Sequence, residues 1–452
     1  MNERRFDVAV IGGGVAGLAA ATALSERGQR VIVLEARGEL GGRATAFVDR
    51  ATGELVDNGQ HVLLGCYHET FRLLRRVGAE ANVCVQPSLE IPFIGPDGVS
   101  SVLRCPRLPS PLHLLAGILT WDALGWRERV NALRLAPVLL RARRRAFDTD
   151  RKSMPNRSEA TVSDWLTQYG QRGRIREWLW EPLAVAALNQ SPDEASAAAF
   201  IAVLAGLFGR DSSDAALVLP MRPLHETYAL PARRYIEERN GSVRLHALSR
   251  IRLEAGEVRD IEIRGERLDV SRVIAAVPWF ALESLVTGDT GHLAPILANA
   301  SAMTSKPILT VNLWYDRAVM EETFVGLPGR VMQWVFDKRQ AFGERASHLS
   351  LVSSGADALV AQDNASLVAL AAREVAGAIP GARGATLLRG TVVREKRATF
   401  SLAPSEPRRP DVRTPVRGLF LAGDWIATGL PGTIESAALA GHRAAAALLE
   451  SM

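Results

Sequence analysis

Two sets of residues near the start of the chain have types and spacings suited to chemistry. The first is Gly12, Gly14 and Gly17, a G-x-G-x-x-G turn, with Glu35 near the spacing of roughly 20 residues that such a turn expects. The first glycine permits the tight bend, the second lets a pyrophosphate approach the backbone, and the third lets helix and strand pack closely. The helix that follows would offer the N–H groups of Val15, Ala16 and Gly17, and its positive dipole end, to phosphates. Glu35 would accept hydrogen bonds from two ribose hydroxyls. The second set is DNGQH, with Asp57, Asn58, Gln60 and His61 crowded around Gly59 ahead of an apolar run. His61 has the type for proton transfer near neutral pH, and Gln60 could present a polar group to an apolar pocket. Asp57 is expected to fix the loop.

These residues need particular elements to position them. FDVAVIGGG reads as a buried parallel strand running into the turn, VAGLAAATALSER as a helix stopped by Gly28, and VIVLE as the next strand. Residues 240–282 alternate apolar and polar and read as short strands, after the helical PARRYIEERNG; RVIAAVP returns to the nucleotide sheet. Residues 76–221, rich in Leu, Ala, Trp and Arg, look largely helical. KPILTVNLWYD, 306–316, alternates and looks like a sheet strand facing a cavity. The final stretch, 418–449, opens as a strand ending in Gly423-Asp424. It turns at Gly429-Leu430-Pro431-Gly432 and continues as an Ala-rich helix.

Two segments bring a resemblance into view. Arg37 to Thr45 resembles the R-x-x-x-G-G-R-x-x-[ST] segment of flavin amine oxidases and carotenoid-type desaturases, and 418–449 resembles the second flavin motif of that superfamily. With DNGQHVLLGCY (57–67), EPLAVAALNQSPDEASAAAF (181–200), KRATFSLAP (396–404) and GDWIATGLPGTIESAALAG (423–441), the whole chain resembles the hydroxysqualene dehydroxylase family. The resemblance implies an α/β protein. A discontinuous Rossmann-like FAD-binding domain would take in 1–75, 222–285 and 412–452, with an inserted α+β substrate domain from 76–221 and 286–411. It implies that Glu35, Ala36 and Arg37 lie by the ribose, and that Gly41 and Gly42 let the chain pass over FAD. Arg43 would supply charge for the pyrophosphate, and the backbone near Leu248 and Ser249 would lie over the adenine. Gly423 and Asp424 would hold the ribityl chain. Gly432, Thr433 and Ile434 would aim a helix N-terminus at the flavin, where its dipole stabilises negative charge. Asn58, Gly59 and Gln60 would bring backbone to the isoalloxazine, with His61, and Gln60 beside it, as the catalytic candidates.

The activity implied is reductive removal of the hydroxyl of hydroxysqualene, with His61 as proton donor to the leaving oxygen. The rival readings are a polyene desaturase, an amine oxidase, and a prenyl-lipid carrier like the GDP-dissociation inhibitors. Gly432, Thr433 and Ile434 stand where amine oxidases often place an aromatic ring, which weakens the second. The intact nucleotide residues argue against the third. Lys306, ahead of Pro307, is not securely the lysine that amine oxidases place near the flavin.

Composition narrows the setting. Of 452 residues, 47% are hydrophobic and 23% charged, an ordinary globular balance with net charge +5. Cys66, Cys84 and Cys105 are odd in number and share no C-x-x-C spacing, so a reducing compartment is expected. MNERR before an apolar run imitates a secretory leader, but three adjacent glycines would break its helix. Residues 108–145 join an apolar stretch to Arg127, Arg129, Arg134, Arg141, Arg143, Arg144 and Arg145. That pattern suits either peripheral contact with an anionic membrane from the cytoplasmic side or a core helix pair with a solvated basic face. The expected partners are a hydrophobic isoprenoid and an external electron donor of unknown kind. Neither a metal nor nucleic acid is expected, since the arginines are not interleaved with stacking aromatics.

Overall fold

The computed structural model of the chain describes residues 6–49, 53–147, 159–339 and 347–452. The MNERR leader question and the Arg145 side chain lie outside what is described. At the centre is a five-stranded parallel sheet in the order Ser242–Arg244, Val31–Leu34, Val8–Ile11, Val273–Ala275, Leu419–Leu421. VAVI and VIVL are unbroken apolar runs because both faces of a parallel sheet are covered. The helices Val15–Glu26 and Ile434–Glu450 pack on one another, and Gly441 makes this possible: a Cβ there would sit 2.2 Å from the Ala16 carbonyl oxygen. A four-stranded sheet of Glu266–Leu268, Glu257–Ile263, Ser249–Glu254 and Val286–Gly288 completes that half.

The second half is built on a seven-stranded sheet. Its order is Leu387–Phe400, Ser305–Tyr315, His348–Ser354, Trp334–Asp337, Phe324–Gly326, Glu90–Ile94, Ser100–Arg104. Here the expectation of a largely helical 76–221 is corrected. Residues 90–104 form a hairpin, and Val83–Val85 and Leu217–Pro220 pair in a smaller sheet. The signal was local: Pro96-Asp97-Gly98 is turn chemistry between two short alternating runs. Helices between Leu112 and Leu207 do fill the remainder, around Trp121, Trp165, Trp178 and Phe200. One face of the large sheet, carrying Leu309, Val311, Leu313, Leu349 and Leu351, packs on the helix Asn364–Ala378. The alternate residues Ile308, Thr310, Asn312 and Trp314 therefore face the other way, toward DNGQH.

Two of the segments that carried the resemblance hold each other. Asn189 ends the helix Glu181–Leu188 in the left-handed region (φ 51°). Its amide nitrogen donates to the Lys306 carbonyl and the Thr399 hydroxyl, and its oxygen accepts from the Gly355 N–H. Gln190 beside it bonds Ser401 and accepts the Leu402 N–H. The pair thus clamps the KRATFSLAP strand end to the helical layer. Asn189→Ala leaves three buried groups unpaired and loses a residue type that tolerates this backbone. Unfolding free energy should fall by about 2–4 kcal/mol, measured by urea titration; a loss below about 0.5 kcal/mol would contradict the clamp.

Candidate active site

The turn after the first strand has no room for side chains. A Cβ on Gly17 would lie 1.9 Å from the Gly12 carbonyl oxygen, and Gly12 itself (φ 110°) sits against Ala276. Helix Val15–Glu26 begins at Gly14 with no side-chain cap and no acid in its first turn, so its leading amides are available to an anion. Glu35, buried at the end of its strand, accepts the Gly13 N–H at 2.7 Å and the Arg37 N–H at 2.8 Å. Each carboxylate oxygen keeps lone-pair capacity for a hydroxyl. The 246–249 segment runs alongside, with the His246 and Ala247 N–H groups bonded to the carbonyls of Arg37 and Glu35. Ser249 is buried there, whereas Leu248 and Ala36 are exposed.

Gly41 and Gly42 cross directly over this turn. The Gly41 N–H donates to the Gly13 carbonyl, and Gly42 packs on Gly14. Tyr228, buried, directs its hydroxyl at the carbonyl oxygens of Gly41 (2.9 Å) and Ala44 (2.8 Å). No motif around this tyrosine marks its role. Arg43, on the same crossing, has partners within the chain. Its guanidinium bonds Asp424 at 2.6 Å and the Ala398 carbonyl at 2.7 Å. Asp424 is nearly buried, and a buried carboxylate needs a counter-charge. Within the chain, this arginine ties the first flavin motif to the last. Beyond Gly423 and Asp424, Gly432 packs on Thr399 and Asp424, and Thr433 caps the helix Ile434–Glu450 through the Ser436 N–H. Ser436 in turn bonds the Asp424 carbonyl. Glu435, in the first turn, accepts the Glu69 and Thr70 N–H groups and the Thr70 hydroxyl, locking the helix His68–Arg76 to this end.

DNGQH lies between the two halves. Leu55–Asp57 pairs with Ala46–Val48, and Leu63–Leu64 pairs with Leu217–Pro220. Asn58 donates to the Arg43 carbonyl and to Glu395 on the large sheet. A Cβ on Gly59 would stand 3.7 Å from the Thr310 hydroxyl. Asp57 holds its loop as expected, accepting the Leu224 N–H, but its second oxygen meets Lys338 Nζ at 2.8 Å. Lys338 also donates to Gln60 Oε1 at 2.7 Å, and Gln60 Nε2 donates to the His61 carbonyl. Gln60 is thus engaged at both ends and positions the loop. Lys338, buried, is the residue that sequence reasoning missed, since FDKRQ carries no motif and its partner lies 281 positions away. Lys306 instead pairs with Glu194 and Asp357.

His61 is half-buried with Nδ1 2.9 Å from the Gly59 carbonyl oxygen. A carbonyl only accepts, so Nδ1 carries the proton and Nε2 offers a lone pair. Burial pushes the imidazole below its ordinary value of 6.5. The Gly59 carbonyl and Asp57 pull it upward, while Lys338 and Arg43 add to the depression. The neutral ring therefore dominates at pH 7. Beside it the sheet presents Phe324, Phe336 and Val352, with Val62, Ile91, Leu217, Leu219, Ile308 and Trp334 packed around them.

Comparison with known proteins agrees with this geometry. A family model described as flavin containing amine oxidoreductase matches residues 15–449. The chain belongs to that family. FAD is its cofactor, and the glycine cradle, the uncapped helix and the Glu35 carboxylate fit the group. The chain is 31% identical to the hydroxysqualene dehydroxylase of Rhodopseudomonas palustris and 30% identical to that of Sinorhizobium fredii, in each case over 97% of both chains. It is 25% identical to the zeta-carotene desaturase of Arabidopsis thaliana over 99% of this chain and 86% of that one. Among solved structures, a putrescine oxidase variant superposes with TM-score 0.74 at 19% identity, covering 99% of each chain, and a cyclohexylamine oxidase from Brevibacterium oxydans with 0.70 at 18%, again covering 99% of each. The chain is an FAD-dependent oxidoreductase with the amine-oxidase fold.

Two outcomes follow from the site. Glu35→Ala and Asp424→Asn each remove a carboxylate from the cradle. Each should weaken FAD binding about 10- to 100-fold, the value of a hydrogen bond to a charged group, while circular dichroism stays native. Undiminished flavin retention in both variants would overturn the placement. His61 should titrate below pH 6.5 by NMR and show the Nδ1–H tautomer at pH 7. A midpoint at or above that value would contradict the burial argument.

Proposed function

We propose that the protein reductively removes an allylic hydroxyl from hydroxysqualene, giving squalene. The observation that carries the reading is identity of 30–31% to hydroxysqualene dehydroxylases along 97% of the chain, through the segments that build the DNGQH site. Bound FAD, when reduced, supplies hydride. The chain's own residues have three further tasks: to bind a long polyene, to keep water away, and to give the leaving oxygen a proton.

The apolar wall of Phe324, Phe336, Val352 and Trp334 suits the first two. At about 25 cal/mol per Å² of apolar surface buried, lining of this kind supplies ample affinity without polar contacts. Loss of the hydroxyl leaves an allylic cation, which dry surroundings protect from capture. His61 is the proton donor in this reading, charged only when its Nε2 takes a proton. The Lys338–Asp57 pair and Gln60 hold its loop in place. Because His61 titrates below its ordinary value, the rate should rise as pH falls through that lowered pKa and decline above it. The carotenoid desaturases are the second reading, favoured by their match along the same length.

Anaerobic mixing of dithionite-reduced protein with hydroxysqualene separates the two readings. Dehydroxylation predicts re-oxidation of the flavin within one turnover, slowed about a hundredfold or more in His61→Ala. Flavin that stays reduced with hydroxysqualene, but whose oxidised form is reduced by a polyene, would replace this reading with the desaturase.

The same substrate sets the molecule on an anionic bilayer. Seven of the sixteen exposed large hydrophobic side chains among the described residues lie within 108–140, where an ordinary solvated helix pair would bury them. Trp126 is 71% exposed, and Leu112 and Val130 are each 54% exposed, on helices that lead into Arg141, Arg143 and Arg144. No helix among the described residues is long and apolar enough to cross a membrane; in this reading the contact is peripheral. Charge reversal at Arg141, Arg143 and Arg144 should lower binding to anionic vesicles about tenfold at low salt, and Trp126→Ser should lower it at any salt. Binding unchanged in both variants would remove the membrane face.

A further inference from the structure

A reaction that consumes reduced flavin draws two electrons per turnover from outside the chain. One surface leads inward to the flavin cradle. The helix Trp279–Leu285 begins just after the strand Val273–Ala275, whose next residue, Ala276, packs on Gly12 and Gly17. Trp279 is buried, while Phe280 is 38% exposed, and their rings meet edge to face at 5.2 Å. Inward, Trp279 lies 5.7 Å from the Arg43 guanidinium that bonds Asp424, and 6.1 Å from Phe400. Outward, Arg397 lies 3.7 Å over the Phe280 ring.

The surroundings of this ring are basic. Lys396 and Arg397 are exposed on the strand whose next residue, Ala398, bonds Arg43 through its carbonyl. Arg409 stacks 5.0 Å over Phe400 and donates to the Leu430 carbonyl in the second flavin motif. Burial draws its guanidinium down to about 10, still charged at neutral pH. Arg408 beside it is exposed. No carboxylate pairs with the side chains of Lys396, Arg397 or Arg408 among the described residues. The nearby acids have other hydrogen-bond partners: Glu395 accepts the Asn58 amide and the Arg397 backbone N–H, Glu406 bonds Thr304, and Glu283 bonds Ser301. A lone exposed phenylalanine is ordinary. A cation stacked on it with no carboxylate partner, exposed Lys396 and Arg408 on the adjoining segments, and a continuous ring path to the residue that anchors Asp424 set this one apart.

We infer that the Phe280 face docks an acidic one-electron carrier protein of low potential, an iron–sulfur protein in chemical class, whose carboxylates lie against Lys396, Arg397 and Arg408. The inference rests on the proposed reductive reaction. Two carriers in succession each surrender one electron. With two protons from solvent these reduce one flavin, and both carriers leave oxidised. Opposed charges speed such encounters by 10- to 1,000-fold and make them sensitive to salt.

The test mixes the FAD-loaded protein with a dithionite-reduced, acidic iron–sulfur ferredoxin and follows flavin bleaching by stopped flow. The double variant Lys396→Glu, Arg397→Glu should be reduced about a hundredfold more slowly at low salt than the native protein. Calorimetry with oxidised ferredoxin should show binding to the native protein alone. Flavin content, direct reduction by dithionite and single-turnover oxidation by hydroxysqualene should be unchanged. Those controls separate failure of the docking surface from failure of the proposed reaction. Equal ferredoxin rates and equal binding in the two proteins would overturn the inference. So would a native protein that ferredoxin does not reduce but that a quinol in vesicles reduces as fast as it does the variant.

Discussion

The Arg43–Asp424 ion pair joins parts of the chain 381 residues apart, and much of the site's geometry is organised around it. Asp424 is almost fully buried at the end of the last strand of the nucleotide sheet, where an unpaired carboxylate would be costly. Arg43 meets that need while its second nitrogen takes the Ala398 carbonyl from the large sheet. Three segments are thereby fixed to one guanidinium: the G-G-R crossing, the C-terminal flavin motif and the end of the strand Leu387–Phe400. A lysine would not serve equally, because the planar fork makes both contacts at once.

A second buried pair organises the DNGQH loop. Lys338 and Asp57 face one another at 2.8 Å, each about 5% exposed, on a sheet face otherwise dominated by large apolar residues. Placing an ion pair there is costly unless every hydrogen-bonding position is used. The surrounding contacts use these positions well: Asp57 accepts the Leu224 amide, and Lys338 donates to Gln60, whose own amide nitrogen donates to the His61 carbonyl. The result is a polar loop of fixed shape in dry surroundings. It is burial that keeps the His61 imidazole neutral, since the two charges of the pair bear on it in opposite senses, Asp57 raising its pKa and Lys338 lowering it.

How much of this could be read in advance depended on how local each constraint was. Gly12, Gly14 and Gly17 share one turn, with Glu35 at the end of the next strand, and that spacing was enough to pick them out. The hairpin at 90–104 was equally local, through Pro96-Asp97-Gly98, but was submerged in a helix-rich composition. Lys338, Tyr228 and Asn189 were invisible for another reason. Their contacts run to Asp57, Gly41 and Gly355, and no pattern around each residue records a partner so far along the chain. Arg43 was picked out by its motif, but its partner in the chain came only from the fold. His61 was identified by type; its charge state depended on burial that a sequence does not carry.

The central claim is that hydride passes from the reduced cofactor to the carbon that loses its hydroxyl. Protein reduced in heavy water and mixed anaerobically with hydroxysqualene tests it most directly, with the product analysed by mass spectrometry. The account predicts squalene carrying a single deuterium at the former carbinol carbon, with the oxygen lost as water. A product free of deuterium, or one with an added double bond and the hydroxyl retained, would contradict it.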